Sequence, residues 1–293
     1  MASRTIRRLI WSLYVQHQRT YTFSTRQGVF TVYGKDNVIA YLLYCTGQYE
    51  RELMMETFSF LRSQGQLSPA GRGTLVDIGA NIGVICVAGA HLDQVQRIVA
   101  IEPDPANFAL LQQNVRQNGL ADRAVCLPQA VAEQKGELEF ELSADNFGDH
   151  RVHSVDQIAP DGDLFDESRR QIISVRSDRL DEIIGRLPQE FSEEIALVWI
   201  DIQGYEGFAF RSGPNFFGRG MPVVSEIWPY AIRRAGMSDA EFCSTVGQLW
   251  SGYARLIDGE FAYFPIDSFS EYYASLDRAQ FENVIFLAED GRS

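Results

Sequence analysis

From Gly73 onward, short continuous apolar runs alternate with segments of helical period. TLVDIG reads as a strand and IGVICVAGAHL as a buried helix. RIVAIEP is a second strand, followed by PANFALLQQNVRQNG, which sets Phe108, Leu110, Leu111 and Val115 on one side. AVCLPQAVA is a third strand, IALVWID a fourth and PVVSEI a fifth. Continuous apolar strands separated by helices predict a parallel sheet covered on both faces. YARLID, FAYFPI and VIFLAE add strands near the C-terminus, expected to be antiparallel. The pattern is that of a doubly wound α/β domain.

Ahead of it the pattern differs. In MASRTIRRLIWSLYV, the residues Ile6, Leu9, Ile10, Leu13 and Tyr14 recur at helical spacing. The ordinary role of such an amphipathic helix is to dock on the body of the protein, with membrane-surface binding or dimerisation as the other options. A hairpin (YTFS, then VFTVYG) and a helix from Val38 to Leu61 follow. The polar, Gly/Pro-punctuated segment SQGQLSPAGRG (63–73) predicts a boundary. It divides the chain into an N-terminal cap or oligomerisation extension (1–72) and the α/β domain (73–293).

Composition narrows the classes. The chain has 293 residues, 45% of them hydrophobic and 22% charged, enough to bury a sizeable core. A formal net charge of -13 argues against a general nucleic-acid binder, because phosphate contact needs a concentrated basic surface. Cys45, Cys86, Cys126 and Cys243 are far apart, and the expected reading is buried, reduced thiols in a cytoplasmic protein. No window approaches the run of about 20 apolar residues that a membrane span requires. Arg7, Arg8 and the polar QHQRT also speak against a signal peptide.

The chemistry is expected beyond the carboxyl ends of the strands, where strand order reverses. The first strand–helix turn is Val76-Asp77-Ile78-Gly79-Ala80-Asn81-Ile82-Gly83. Gly79 allows a sharp turn and close backbone approach, and Gly83 allows the helix to pack against the strand. A dinucleotide site would want G-x-G-x-x-G, so that a pyrophosphate meets the helix N-terminus. Here Asn81 takes the second glycine position and Asp77 precedes the turn. A carboxylate repels a pyrophosphate and attracts a sulfonium or an ammonium. Glu102, ending the second strand in IVAIEPDP, is placed to accept both hydroxyls of a ribose.

VDIGANIGV, IEPDPANFALLQQNVRQNGL, QAVAEQKGELEF and VWIDIQGYEG, in this order over roughly 73 to 230, resemble the FkbM-type methyltransferases. The resemblance implies a Rossmann-like class I methyltransferase fold: a seven-stranded, mostly parallel sheet with helices on both faces, plus the N-terminal helical and hairpin extension. It implies S-adenosyl-L-methionine as methyl donor and O-methylation of a hydroxyl on a natural product, sugar or lipid. By position it assigns Asp77, Gly79, Ala80, Asn81, Gly83, Glu102, Pro103, Asn107, Ala130, Asp201 and Gln203 to the cofactor. One departure stands out: where the family commonly reads K-I-D-V-E-G, this chain has Trp199-Ile200-Asp201-Ile202-Gln203-Gly204. Gln203 can hydrogen-bond but cannot act as a base.

Three residues are candidates for the base that takes the acceptor's proton. His150, in the polar insertion 145–153, has a suitable intrinsic pKa, and a neighbouring aspartate is expected to raise and orient it. Asp201 ends strand four, with helix capping as its structural alternative. Glu226 ends strand five, with Arg233 or Arg234 as alternative partners. Asp145, Asp149 and His153 match no established ligand spacing, so no metal is assigned. Trp228, Tyr230, Tyr205 and Tyr253 are expected in the core or along the acceptor pocket. The acceptor is a small molecule or a peptide, and a homodimer is left open. The rival readings are N-methylation of an amide or amine, and a nucleoside-binding protein that kept the fold without methyl transfer.

Overall fold

In the computed structural model, residues 4–154, 169–277 and 280–288 are described. The chain opens with α1 (Arg4–Leu13), the hairpin β1 (Thr20–Ser24) and β2 (Val29–Tyr33), α2 (Ile39–Thr46) and α3 (Arg51–Ser63). The expected single helix from Val38 to Leu61 is therefore two. Gly47 ends α2 at φ 80, and Glu50 enters α3 at φ 51, both left-handed conformations that no continuous helix contains.

The βα alternation then follows the sequence: β3 (Thr74–Ile78), α4 (Val84–His91), β4 (Arg97–Ile101), α5 (Pro105–Gln117) and β5 (Ala124–Leu127). The third apolar run is broken at Pro128, which has no N–H for a ladder. Its second half, β6 (Ala130–Val131), joins a separate sheet with β7 (Gly136–Leu142), β8 (Arg151–Val152) and β9 (Gln171–Asp178), ordered β6-β9-β7-β8. The short helices α6 (Leu180–Gly185) and α7 (Gln189–Ser192) lead to β10 (Ile195–Ile200). Next come α8 (Glu206–Ser212), α9 (Pro214–Phe217), β11 (Val223–Ile227), α10 (Pro229–Arg234) and α11 (Asp239–Leu249). The chain ends with β12 (Gly252–Ile257), β13 (Glu260–Pro265), α12 (Phe269–Ser275) and β14 (Glu282–Leu287).

The main sheet runs β13-β12-β14-β11-β10-β3-β4-β5. The five strands from β11 to β5 are parallel, and β14, β12 and β13 pair antiparallel as expected. Every residue of β3 and β11 is buried, which requires cover on both faces. The sheet has eight strands rather than seven because β12 and β13 form a hairpin through Asp258 and Gly259. Both turn residues have positive φ, the geometry of a tight two-residue turn. Strand order reverses between β3 and β10, so the carboxyl ends of these two strands flank the crevice.

The 63–73 segment divides the sequence but not the core. Trp11, Val15, Phe30 and Val32 share one buried cluster with Leu75, Val87 and Leu111. Asn114 of α5 stitches the hairpin down: its Oδ1 accepts from Thr31 N (2.8 Å), and its Nδ2 donates to Thr31 O (3.1 Å) and Ile82 O (2.8 Å). The first helix docks by the face opposite to its apolar stripe. Trp11 is buried against Tyr41 and Tyr44, whereas Ile6, Leu9, Ile10 and Leu13, with Tyr14 just beyond the helix, face outward. Cys45 and Cys86 are buried; Cys126 and Cys243 are only half-buried, and all four are free thiols. Among the described residues no helix is long and apolar enough to cross a membrane.

Candidate functional site

A cavity of about 280 Å³ opens at the carboxyl ends of β3, β4, β10 and β11. Its first wall is the turn after β3. Gly79 sits at φ +87, and a Cβ there would lie 1.9 Å from the Asp201 carbonyl oxygen, so only glycine lets the ends of β3 and β10 approach. Asn81 also has positive φ, at 52°. Its backbone N–H donates to Glu102 Oε2 (2.8 Å), its Oδ1 accepts from Ile82 N (2.8 Å), and its Nδ2 donates to the Phe147 carbonyl (2.6 Å). Glu102 Oε1 accepts from Asp104 N (2.7 Å), while Asp104 and Pro105 start α5 as an N-cap and first-turn proline. Asn107 Nδ2 donates to the same Phe147 carbonyl (3.1 Å), and its buried Oδ1 has no partner among the described residues. The loop between β7 and β8 is thus tied across the turn at one carbonyl.

The second wall follows β10 and β11. Gln203, at φ 54, donates through Nε2 to both Asp201 Oδ1 (2.6 Å) and Glu226 Oε1 (3.0 Å). Glu206 Oε1 accepts from Ile202 N (3.0 Å) and Gly204 N (3.2 Å), and Asp201 accepts from the Gln203 backbone N–H, so both carboxyls brace the turn ahead of α8. Arg233 pairs with Asp239 and Arg234 with Glu141, which leaves Glu226 to its amide partner. Tyr205, Trp228 and Phe281 add aromatic surface to this side. Tyr230 is buried beside Trp228, and Tyr253 lies in the core against Phe264 and Tyr272.

Carboxylates dominate the cavity, and burial displaces them. It raises Glu102 to about 8, against two backbone N–H bonds that pull the other way. It raises Asp77 to about 7, with Asp201 adding to the effect, and Asp201 to about 6. Glu226 is pushed well up by burial and by Asp201. Glu50, at the entry to α3, lines the same cavity and is raised to about 8 by burial and by Asp201 and Asp77. Desolvation disfavours the charged form, and neighbouring like charges compound it. Such clusters mark sites built to receive positive charge or to move protons.

A model of the methyltransferase FkbM domain matches residues 77–249. The chain belongs to the FkbM methyltransferase family. It is similar in structure to methyltransferase FkbM from Methylobacillus flagellatus KT, at 15% identity and a TM-score of 0.44, over 84% of this chain and 52% of that one. The chain therefore spans about half the length of that relative. It is also similar to P. horikoshii TYW2 in complex with MeSAdo, at 12% identity and a TM-score of 0.36, over 92% of this chain and 72% of that one. No curated protein matches the sequence. At these scores the functional reading rests on the family match and on the site itself.

Family membership brings S-adenosylmethionine as cofactor, and the residues present fit it. Its adenosyl and amino-acid parts are rich in donors, and the first wall is rich in acceptors: Asp77, Glu102 and the orphaned Oδ1 of Asn107. Asp77, Gly79, Ala80, Asn81, Glu102, Pro103, Asn107, Ala130, Asp201 and Gln203 all line the cavity, as do His150 and Glu226. Gly83 does not. Its φ is +87, and a Cβ there would meet Leu111 Cδ1 of α5 at 2.7 Å, so it serves the packing of α4 on α5 and not on the strand.

The expectation for His150 is corrected by its surroundings. Burial, only partly offset by Asp104, lowers its pKa to about 4. Its Nδ1 accepts from Ser143 N (3.0 Å), so the neutral ring carries its proton on Nε2, 3.7 Å from Asp104. Neither nitrogen is free to take a proton from an acceptor. Asp149 pairs with Arg151 and Arg170, and His153 with Glu141, so these members of the 145–153 cluster are engaged inside the protein. Sequence reasoning missed Tyr49 and Glu50. They follow Gly47 at the end of α2, and no local motif ties them to a site that begins at Asp77.

Proposed function

We propose that this protein transfers a methyl group from S-adenosylmethionine to a hydroxyl of a natural product, sugar or lipid. The observation that carries this reading is the Asp201–Gln203–Glu226 unit on the wall opposite Glu102 and Asn107. S-adenosylmethionine, when bound, supplies a methyl group on a positively charged sulfur. Glu102 and Asn107 would hold the adenosyl part through their acceptor oxygens, and Asp77 would face positive charge. A neutral hydroxyl must lose its proton as it is methylated, and a positioned base accelerates that step by roughly 10²–10⁴. Asp201 has the properties of that base, because at about 6 it is ionised at neutral pH yet basic enough to accept a proton. Glu226 is pushed up by burial and by the neighbouring Asp201, which disfavours a second charge beside it. Gln203 fixes the distance between the two carboxyls. Tyr205, Trp228 and Phe281 offer aromatic faces against which an acceptor can lie.

The test is a screen of hydroxyl-bearing and amide-bearing acceptors with methyl-labelled cofactor, followed by Asp201→Asn on the best substrate. The expected loss in turnover is roughly 10²–10⁴-fold. The wild-type rate should rise with pH through about 6, the value of Asp201, and the variant should lose that limb. Transfer to amides alone, or an Asp201→Asn enzyme with unchanged turnover and pH profile, would refute the proposal.

A further inference from the structure

The first helix carries a surface that methyl transfer does not use. Ile6, Leu9, Ile10, Leu13 and Tyr14 are between 37% and 69% exposed. Single exposed apolar residues are ordinary, but five on one face of one short segment form a patch. The helix that presents them is fixed. Trp11 is buried with its ring 5.6 Å from Tyr41 and 5.8 Å from Tyr44, and Arg7 donates to the Tyr44 carbonyl (2.7 Å).

Charge is segregated in the same place. The first 35 residues hold six of the 26 basic residues and none of the 39 acidic ones, in a chain of net charge -13. Arg4 and Arg8 are exposed on the same helix. A second copy pairing through this face would bring arginine towards arginine, which is repulsive. A nucleic acid would use the arginines and leave the apolar side chains unserved. An anionic lipid surface meets both, with apolar side chains entering the acyl boundary and arginines meeting the headgroups.

We propose that α1 docks this protein on an anionic bilayer surface, lying in the plane of the interface. Its ten residues are too short to cross. The helix packs on α2, whose first residue, Ile39, lines the cavity. Docking of this kind does not depend on the identity of the acceptor.

The experiment is co-sedimentation of the full chain with phosphatidylcholine vesicles and with mixed phosphatidylcholine–phosphatidylglycerol vesicles, at low and high salt. Binding should be confined to the anionic vesicles and weaken with salt. The pair Leu9→Glu and Leu13→Glu should abolish it, while Arg4→Gln and Arg8→Gln should each weaken it by about fivefold. All four positions are exposed, so near-ultraviolet circular dichroism and melting temperature should stay as in the wild type. The proposal fails if the protein ignores anionic vesicles, or if binding survives the leucine pair. It also fails if that pair instead dissolves a dimer of a protein that does not bind vesicles.

Discussion

Raising the pH from about 6 to about 8 should tighten the binding of S-adenosylmethionine far more than that of S-adenosylhomocysteine. In the free protein Glu50 and Glu102 titrate at about 8 and Asp77 at about 7, all raised chiefly by burial. At the acid end of this window these groups hold protons. The methyl donor brings a positive sulfur that the product lacks, and positive charge beside a carboxyl favours its ionised form. A carboxyl that gives up its proton on binding makes affinity rise tenfold per pH unit, between its bound and free values. One such proton gives up to about 100-fold across the window, or ~2.7 kcal/mol. That lies inside the ceiling of ~5 kcal/mol set by moving Glu50 from 4.5 to about 8, at 1.36 kcal/mol per unit. The sign follows from the direction of the shift: the gain grows as pH rises and levels off above about 8, where the free site has itself ionised. Calorimetric titration in two buffers of different ionisation enthalpy counts the released protons directly, and Glu50→Gln should flatten the slope. Equal slopes for the two ligands, or no proton release near neutrality, would refute the reasoning.

Three further outcomes follow from named contacts. Gly79→Ala should cost at least ~3 kcal/mol in denaturant unfolding, because strain at positive φ is joined by a collision with the Asp201 carbonyl. Gly119→Ala, at φ +70 with nothing within 4 Å, should cost only ~1 kcal/mol; equal losses would mean that the approach of β3 to β10 is not what requires glycine. Gln203→Glu removes the shared donor and sets a third carboxyl beside Asp201 and Glu226, so the acid limb of the pH–rate profile should move up by about one unit or more; an unmoved limb would show that the amide does not govern Asp201. His150→Gln should leave the shape of that profile intact, since a ring already titrating at about 4 supplies no limb near neutrality.

The parts of this molecule legible in its sequence are those whose cause is local. Five continuous apolar runs announce a sheet covered on both faces, and Asp77, Gly79, Asn81 and Glu102 lie within two strand–turn–helix units whose geometry their own residues dictate. What escaped depends on packing between distant segments. Glu50 enters the cavity because Asn114 and the buried Trp11 bring the N-terminal elements onto the sheet, and nothing near Glu50 records that. His150 has the composition of a base, but burial and the Ser143 N–H make it an acceptor inside a loop. Periodicity finds the apolar stripe of α1 without saying whether protein covers it; among the described residues the stripe stays exposed.

Gln203 carries the same lesson further. Set against the family pattern, an amide in place of a carboxylate reads as the loss of a base. In the folded chain two other carboxyls, Asp201 and Glu226, already converge on that position, and the amide is the one neutral donor that can face both. A glutamate there would make a third buried acid within hydrogen-bond reach of the other two, and one of the three would have to keep a proton under all working conditions. The substitution is therefore better understood as what holds Asp201 down, to about 6, beside a Glu226 that burial and Asp201 push up. Its role is set by what strands β10 and β11 bring beside it, and the identity of the residue alone points the other way.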